Sequence, residues 1–291
     1  MNGKPQEPAQ SEEAFLAAYD PYTFPPVAVT ADVVALTIRE RELCVLLVRR
    51  ARPPYEGAWA LPGSFLAARR PGDPADAPLE TIDEAAARAL AEKTGLTIAA
   101  DTQAVSAYNA ASRVYLEQLR TYGDGSRDPR MTVVSVAYMA LAPSLPEPTA
   151  GAGTVEARWV PVRELEIDIE EDRVVSQNAT QYPLAFDHAQ IIADGVERAR
   201  SKLEYSPLAS AFCGETFSIS QLRHVYEIVW GETLHPSNFV RKVLSSPGFV
   251  ESAGALSAAG GAGPRAKLYR AGDCALLHPP ILRAASERKI R

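Results

Sequence analysis

At 291 residues, 46% hydrophobic and 23% charged with a formal net charge of −6, the chain is large enough for two domains and ordinary for a soluble protein. Its three cysteines, Cys44, Cys213 and Cys274, are far apart and form no C-x-x-C, which speaks against a zinc site or a disulfide framework and for a reducing cytosol. No run approaches the roughly 18 apolar residues of a membrane span and no charged-then-apolar leader opens the chain, so a cytoplasmic protein with no membrane partner is expected.

Residues 1–24 begin polar and proline-bearing and are expected to form an N-terminal extension, disordered over about its first dozen residues. Val27 to Ile38 and Leu43 to Val48 are β-rich runs broken by Glu40-Arg41-Glu42, the pattern of a hairpin. Arg49, Arg50 and Arg52 follow the second run. Arginines at a strand end are either solvated or hold phosphates through bidentate hydrogen bonds. Leu61-Pro62-Gly63 then closes a short apolar segment with a turn. From Thr81 a helix is predicted. Thr81 and Glu84 make a T-x-x-E capping box, the alanine-rich run through Ala91 favours helix, and Gly95 suits the left-handed position after its end.

Together these residues resemble the Nudix box, which in hydrolases reads G-x5-E-x7-R-E-U-x-E-E-x-G-U, with U aliphatic. Gly63, Glu80, Arg88, Leu90, Glu92, Gly95 and Leu96 match. Ala89 stands where the glutamate after the arginine is expected, Lys93 replaces the second glutamate of the E-E pair, and sixteen residues instead of five separate Gly63 from Glu80. Nudix hydrolases split a diphosphate with Mg²⁺, which needs hard oxygen ligands in octahedral array. Positions 89, 92 and 93 share one helix face, at about 0°, 300° and 40°. Here that face carries a methyl group, one carboxylate and an ammonium. A lysine about 5 Å from a divalent cation repels it by several kcal/mol even at an effective dielectric near 20. The resemblance therefore implies the fold without its metal site.

Beyond the box, Val105 to Leu119 contains VYLEQL, Tyr122 to Arg130 is a polar Gly/Asp loop, and a strand runs from Met131. Glu117 is either a strand-edge glutamate in water or, as in many Nudix enzymes, a carboxylate outside the box that serves as a further ligand or base. Pro143 to Gly153 reads as a loop, and Ala157 to Leu165 as the last strand and turn. A helix from about Leu184, anchored by Ile191, Ile192, Val196 and Leu203, would complete an α/β/α sandwich over residues 25–204.

From Tyr205 the character changes. Residues 205–291 carry ten Lys or Arg against six Asp or Glu, whereas the remainder carries 20 against 30. A small basic module on an acidic domain hints at nucleic-acid contact. Ser218-x-x-Gln221 is a second capping box, and Leu222, Val225, Tyr226 and Val229 share a helical face that Gly231 ends. Pro236 suits a first helical position, with Phe239, Val240, Val243 and Leu244 as an apolar face and Asn238, Arg241 and Lys242 opposite. Phe249-Val250 opens a strand, Ser252 to Pro264 makes a loop, and Lys267 to Arg270 returns, a wing with Arg265 and Lys267 at its tip. Two short helices, the second basic outward, with a basic hairpin beside them form a winged helix-turn-helix pattern. A protein-interaction winged helix is the alternative.

As a set, ADVVALTI, VLLVRR, WALPG, VYLEQL, RDPR with VVSVAY, HPSNFVRKVL and GPRAKLYR resemble the Nudix-related transcriptional regulator (NrtR) family, bacterial repressors of NAD-metabolism genes. The resemblance covers nearly the full chain. It implies an α/β Nudix sandwich followed by a small winged helix-turn-helix domain. It further implies a cytoplasmic homodimer on palindromic operator DNA, with ADP-ribose or a related NAD metabolite as effector and no required cofactor. On this reading Arg49, Arg50, Trp59, Glu80, Arg88, Glu92 and Glu117 are candidate ligand-binding residues. Arg88 could equally pair with Glu84 or Glu92 and be structural. Ser237, Asn238, Arg241, Lys242, Arg265 and Lys267 are candidates for DNA contact. No catalytic or metal-binding role is assigned. The runner-up is a Mg²⁺-dependent hydrolase of ADP-ribose-like nucleoside diphosphates that recruits metal through Glu80, Glu92 and Glu117.

Overall fold

A computed structural model describes residues 11–67, 79–97, 108, 109, 114–143, 145–170, 173–177, 180–257 and 265–283. Most of the insertion between Gly63 and Glu80, the first ten residues and part of the wing loop lie outside the described residues. Helix α1 (Glu12–Ala18) has no buried residue. An eight-stranded sheet follows, built from β1 (Ala28–Arg39), β2 (Glu42–Arg50), β3 (Trp59–Ala60), β4 (Gly63–Phe65), β5 (Tyr108–Asn109), β6 (Val114–Tyr122), β7 (Val133–Leu141) and β8 (Thr154–Pro161). Its main order is β3-β2-β1-β7-β6-β5, with β4 on β1 and β8 on β2. Only β1 and β7 run parallel among the pairings described.

The β1–β2 hairpin turns on Glu40 and Arg41, both with positive φ (48° and 67°), a tight connection whose twist matches that of its strands. β1 is apolar without alternation because both of its faces are covered. Ala31, Val33 and Ala35 pack with Ala85, Ala86 and Leu90 of α2 (Ile82–Thr94), while Val34 and Leu36 join Ile191, Ile192 and Val196 of α3 (His188–Tyr205). The alanines let α2 lie close to the sheet. Both bonds of the Thr81–Glu84 capping box form, and Gly95 takes the left-handed conformation. The result is the expected α/β/α sandwich.

Two local readings need correction. A hairpin, β9 (Ile167–Glu170) with β10 (Arg173–Gln177), follows the expected last strand. Helix α3 begins at His188, not near Leu184, because residues 183–185 are held extended against β3. Trp59 N–H donates to Pro183 O, and Ala185 N–H to Trp59 O, each at 2.8 Å.

The C-terminal module comprises α4 (Ile219–Trp230), α5 (Pro236–Leu244) and the hairpin β11 (Val250–Leu256) with β12 (Lys267–Ala271). Ser218 and Gln221 close the second capping box, and Gly231 ends α4 at φ 72°. The apolar face of α5 is narrower than expected. Phe239 and Val243 are buried, the former against the Tyr226 ring at 5.1 Å, whereas Val240 and Leu244 are exposed. A nine-residue helix meets α4 along one i, i+4 line only. Trp230 Nε1 donates to Arg200 O (3.1 Å) and Arg200 Nε to Val229 O (3.0 Å), joining the module to the last turns of α3. No helix among the described residues is long and apolar enough to cross a membrane.

Candidate functional site

Beside the starts of β1 and β7 lies a cleft of about 330 Å³. Four distant segments meet there: Asp32 on β1, Arg50 at the end of β2, the Arg127–Arg130 loop, and the start of α3 at His188. Asp32 is buried and accepts hydrogen bonds from Ser135 and Thr30. Gly63 must be glycine here, since a Cβ would sit 1.9 Å from Asp32 Oδ1. Arg127 holds Asp187, the residue before α3, through two bonds of 2.9 and 2.7 Å, and lies 3.8 Å from Asp32. Arg130 holds Asp128 in the same bidentate way, at 3.0 and 2.7 Å.

His188 is fully buried, which pushes its pKa below the usual histidine value against the pull of Asp32 and Asp187. Its Nδ1 accepts the Leu61 N–H at 2.8 Å, so the ring is neutral with its proton on Nε2. Arg50 donates to Pro54 O (2.8 Å) and stacks over the Phe186 ring at 4.9 Å. Lys93 reaches the cleft from the last turn of α2. Counted with Arg52, the lining carries five cations against two carboxylates, Asp32 and Asp128. Such a surface suits a polyanion.

Beside the cleft, Arg88 makes five hydrogen bonds that occupy all its donors: two to Glu80, and one each to Glu92, Ser64 and Phe65 O. Glu80 also accepts the Ala67 N–H, and the Arg88 contact holds its carboxyl below the usual range. The arrangement does not fit the Mg²⁺ of Nudix hydrolases. Both glutamates are tied to an arginine, Ala89 is a buried methyl, and Lys93 brings a positive charge. No group of three or more His, Cys, Asp or Glu suited to a metal ion occurs among the described residues.

Of the seven candidate ligand residues, Arg50 alone lines the cleft. Glu80, Arg88 and Glu92 form the adjoining ion-pair cluster, in which Arg88 pairs with both glutamates. Arg49 is exposed and donates to Gly57 O at 3.0 Å. Trp59 is buried, its ring edge-on to Tyr182 at 5.5 Å. Glu117 is neither in water nor near α2. It is buried on the α3 face of the sheet, held by Lys202 (2.8 Å), Arg198 (3.2 Å) and Tyr115 Oη (2.6 Å). The structure therefore does not bring Glu80, Glu92 and Glu117 together.

In the C-terminal module, Ser237, Asn238 and Arg241 form an exposed face of α5, with Val240 and Leu244 beside them. Arg265 and Lys267 are exposed on the wing. Lys242 departs from this set. It is half-buried, and its Nζ donates to Leu282 O at 3.1 Å, tying α5 to the C-terminal segment. That segment is anchored to α3 in turn, through Arg283 and Glu204 (2.9 Å) and through Ile281 N–H to Glu204 O (2.8 Å).

Comparison with known proteins follows the same two-part division. Residues 27–183 match the NUDIX domain model, and residues 210–271 match the NrtR DNA-binding winged helix domain. The Shewanella oneidensis NrtR crystal structure is 30% identical, with 84% of this chain and 93% of that one aligned at a TM-score of 0.58. The chain belongs to the NrtR family. Shewanella oneidensis NrtR in complex with a 27mer DNA aligns over the same shares at 29% identity and a TM-score of 0.56. The ADPR responsive transcriptional repressor NtrR of Acinetobacter baylyi is 28% identical over 241 residues, 83% of this chain and 81% of that one. Within this NrtR-family chain, Phe186 and His188 lie just past the matched NUDIX segment, yet both line the cleft. Sequence reading passed over Asp32, Arg127, Arg130, Lys93 and His188 as site residues. Signals were present for three of these five: RDPR places Arg127 and Arg130 around an aspartate, and Lys93 departs from the box.

Proposed function

We propose that this protein is a transcriptional repressor that binds operator DNA through the exposed face of α5 and the β11–β12 wing. Its effector is ADP-ribose or a related NAD metabolite, held in the cationic cleft and not hydrolysed. The observation that carries this reading is the position of α3. Its first residue lines the cleft, its last turns carry α4, and its 18 residues span about 27 Å. The names of two relatives support it: one is described as an ADPR responsive repressor, and another was crystallised with DNA.

Arg50, Arg127 and Arg130 suit the two phosphates of such a ligand, and the Phe186 ring supplies an apolar edge. Arg127 is the group through which binding reaches α3. Its guanidinium now holds Asp187, and a phosphate competing for the same donors loosens the start of the helix. A ligand shifts an equilibrium only by its differential affinity for the two states, so release from DNA requires tighter binding to the conformation with α3 displaced. The protein acts as a cytoplasmic homodimer on a two-fold operator, its recognition helices spaced to half-sites about 34 Å apart or a multiple of that. Genes of NAD metabolism are its targets. Mobility shift of the protein's own upstream DNA tests the reading: retention at low salt that ADP-ribose abolishes supports it, and absence of retention overturns it.

A further inference from the structure

The Nudix box departs from its hydrolase form at Lys93, and Lys93 is the residue through which α2 enters the cleft. Three carbonyls at the end of α2 lack helical partners and are met by the loop before β8. Thr149 N–H donates to Thr94 O (2.9 Å), Gly151 N–H to Lys93 O (3.1 Å) and Ala152 N–H to Glu92 O (2.9 Å). Gly151 permits this approach, because a Cβ there would lie 1.9 Å from Glu92 O. The Lys93 ammonium donates to Ala152 O at 2.7 Å. That bond uses one of its three donors and fixes the charge at the rim of the cleft.

The cleft cations are not equivalent. Arg127 and Arg130 are neutralised by Asp187 and Asp128, whereas Lys93 and Arg50 have carbonyl partners and no carboxylate among the described residues. Lys93 shares the cleft lining with Arg50, Arg52, Arg127 and Arg130. A further cation would add to this crowding, and an anion would relieve it.

We infer that the Lys93 ammonium is a resident anion-binding group, occupying the place of a metal-binding glutamate, so that a nucleoside diphosphate binds in the cleft without a divalent cation. The inference rests on the reading of the cleft as the effector site, and its test separates the two. The full-length protein is titrated calorimetrically with ADP-ribose and, separately, with inorganic pyrophosphate, each in EDTA and in Mg²⁺. The wild-type dissociation constants are expected to agree within about twofold between the two conditions. Lys93→Gln should weaken binding in EDTA by about tenfold or more, and Lys93→Arg by less than about threefold. Lys93→Glu should lose binding in EDTA and regain part of it in Mg²⁺, a response that a merely structural lysine would not give.

Wild-type binding that requires Mg²⁺, or an unchanged Lys93→Gln, overturns the role of Lys93 and leaves the effector reading standing. Metal-free binding of pyrophosphate alone, lost in Lys93→Gln, keeps Lys93 and removes ADP-ribose. Binding of neither probe overturns both.

Discussion

Two clusters of buried charge are built on the sheet, one at β6 beneath the body of α3 and one at the starts of β1 and β7, and their difference shows why one is a candidate site and the other a fastening. On the α3 face, Glu117 is enclosed by Lys202, Arg198 and Tyr115, between a strand and a helix. Near the starts of β1 and β7, Asp32, Asp128 and Asp187 pair with Arg127 and Arg130, but Arg50 and Lys93 have no carboxylate partner among the described residues. Both clusters contain the residue types that catalysis and binding use. What separates them is an open cleft and cations without carboxylates.

Breaking the closed cluster should have the largest effect on stability. Glu117→Ala strands Lys202 over the buried Tyr115 ring, and unfolding in urea should show a loss of about 3 kcal/mol, with ADP-ribose affinity at a temperature below the transition nearly unchanged. A fall in affinity as large as that of a cleft variant would erase the distinction between the two clusters. In the open cluster, Arg127→Ala removes the bidentate hold on Asp187 and leaves Asp32 without its nearest guanidinium. A stability loss of about 2 kcal/mol is expected, together with DNA binding that no longer responds to ADP-ribose. If the response survives, Arg127 is a fastening too.

His188 sharpens the comparison through pH. Its folded pKa lies below the unfolded value near 6.5, so the unfolded chain binds the extra proton first. Its contribution is therefore fully present above about pH 6.5 and is lost as pH falls through that value, at up to about 1.4 kcal/mol per pH unit. Stability measured from pH 7.5 to 5.5 should fall in the wild type and fall less in His188→Asn. On α5, Arg241→Ala should change stability by less than about 0.5 kcal/mol and flatten the salt dependence of DNA affinity by about one phosphate contact.

The parts of this molecule that were legible in the sequence are those fixed by near neighbours. Thr81 with Glu84, and Ser218 with Gln221, satisfy backbone donors three residues away, so α2 and α4 could be placed from local patterns. The order of apolar runs likewise gave the sandwich and the wing. The cleft was not legible, because Asp32, Arg127 and His188 meet only once β1 pairs with β7 and α3 starts beside them. Trp59 and Glu117 were candidates through the family resemblance, and the structure packs the one against Tyr182 and the other against Lys202 of α3, away from the cleft lining. Val240 and Leu244 fit an apolar helical stripe, yet only Phe239 and Val243 meet α4.

The most direct test of the account is the affinity of the full-length protein for its upstream DNA by fluorescence anisotropy, in EDTA, with and without saturating ADP-ribose. The account predicts tight binding that ADP-ribose weakens by about tenfold or more, a coupling of about 1.4 kcal/mol or greater. DNA affinity unmoved by ADP-ribose, or moved only when Mg²⁺ is added, would contradict it.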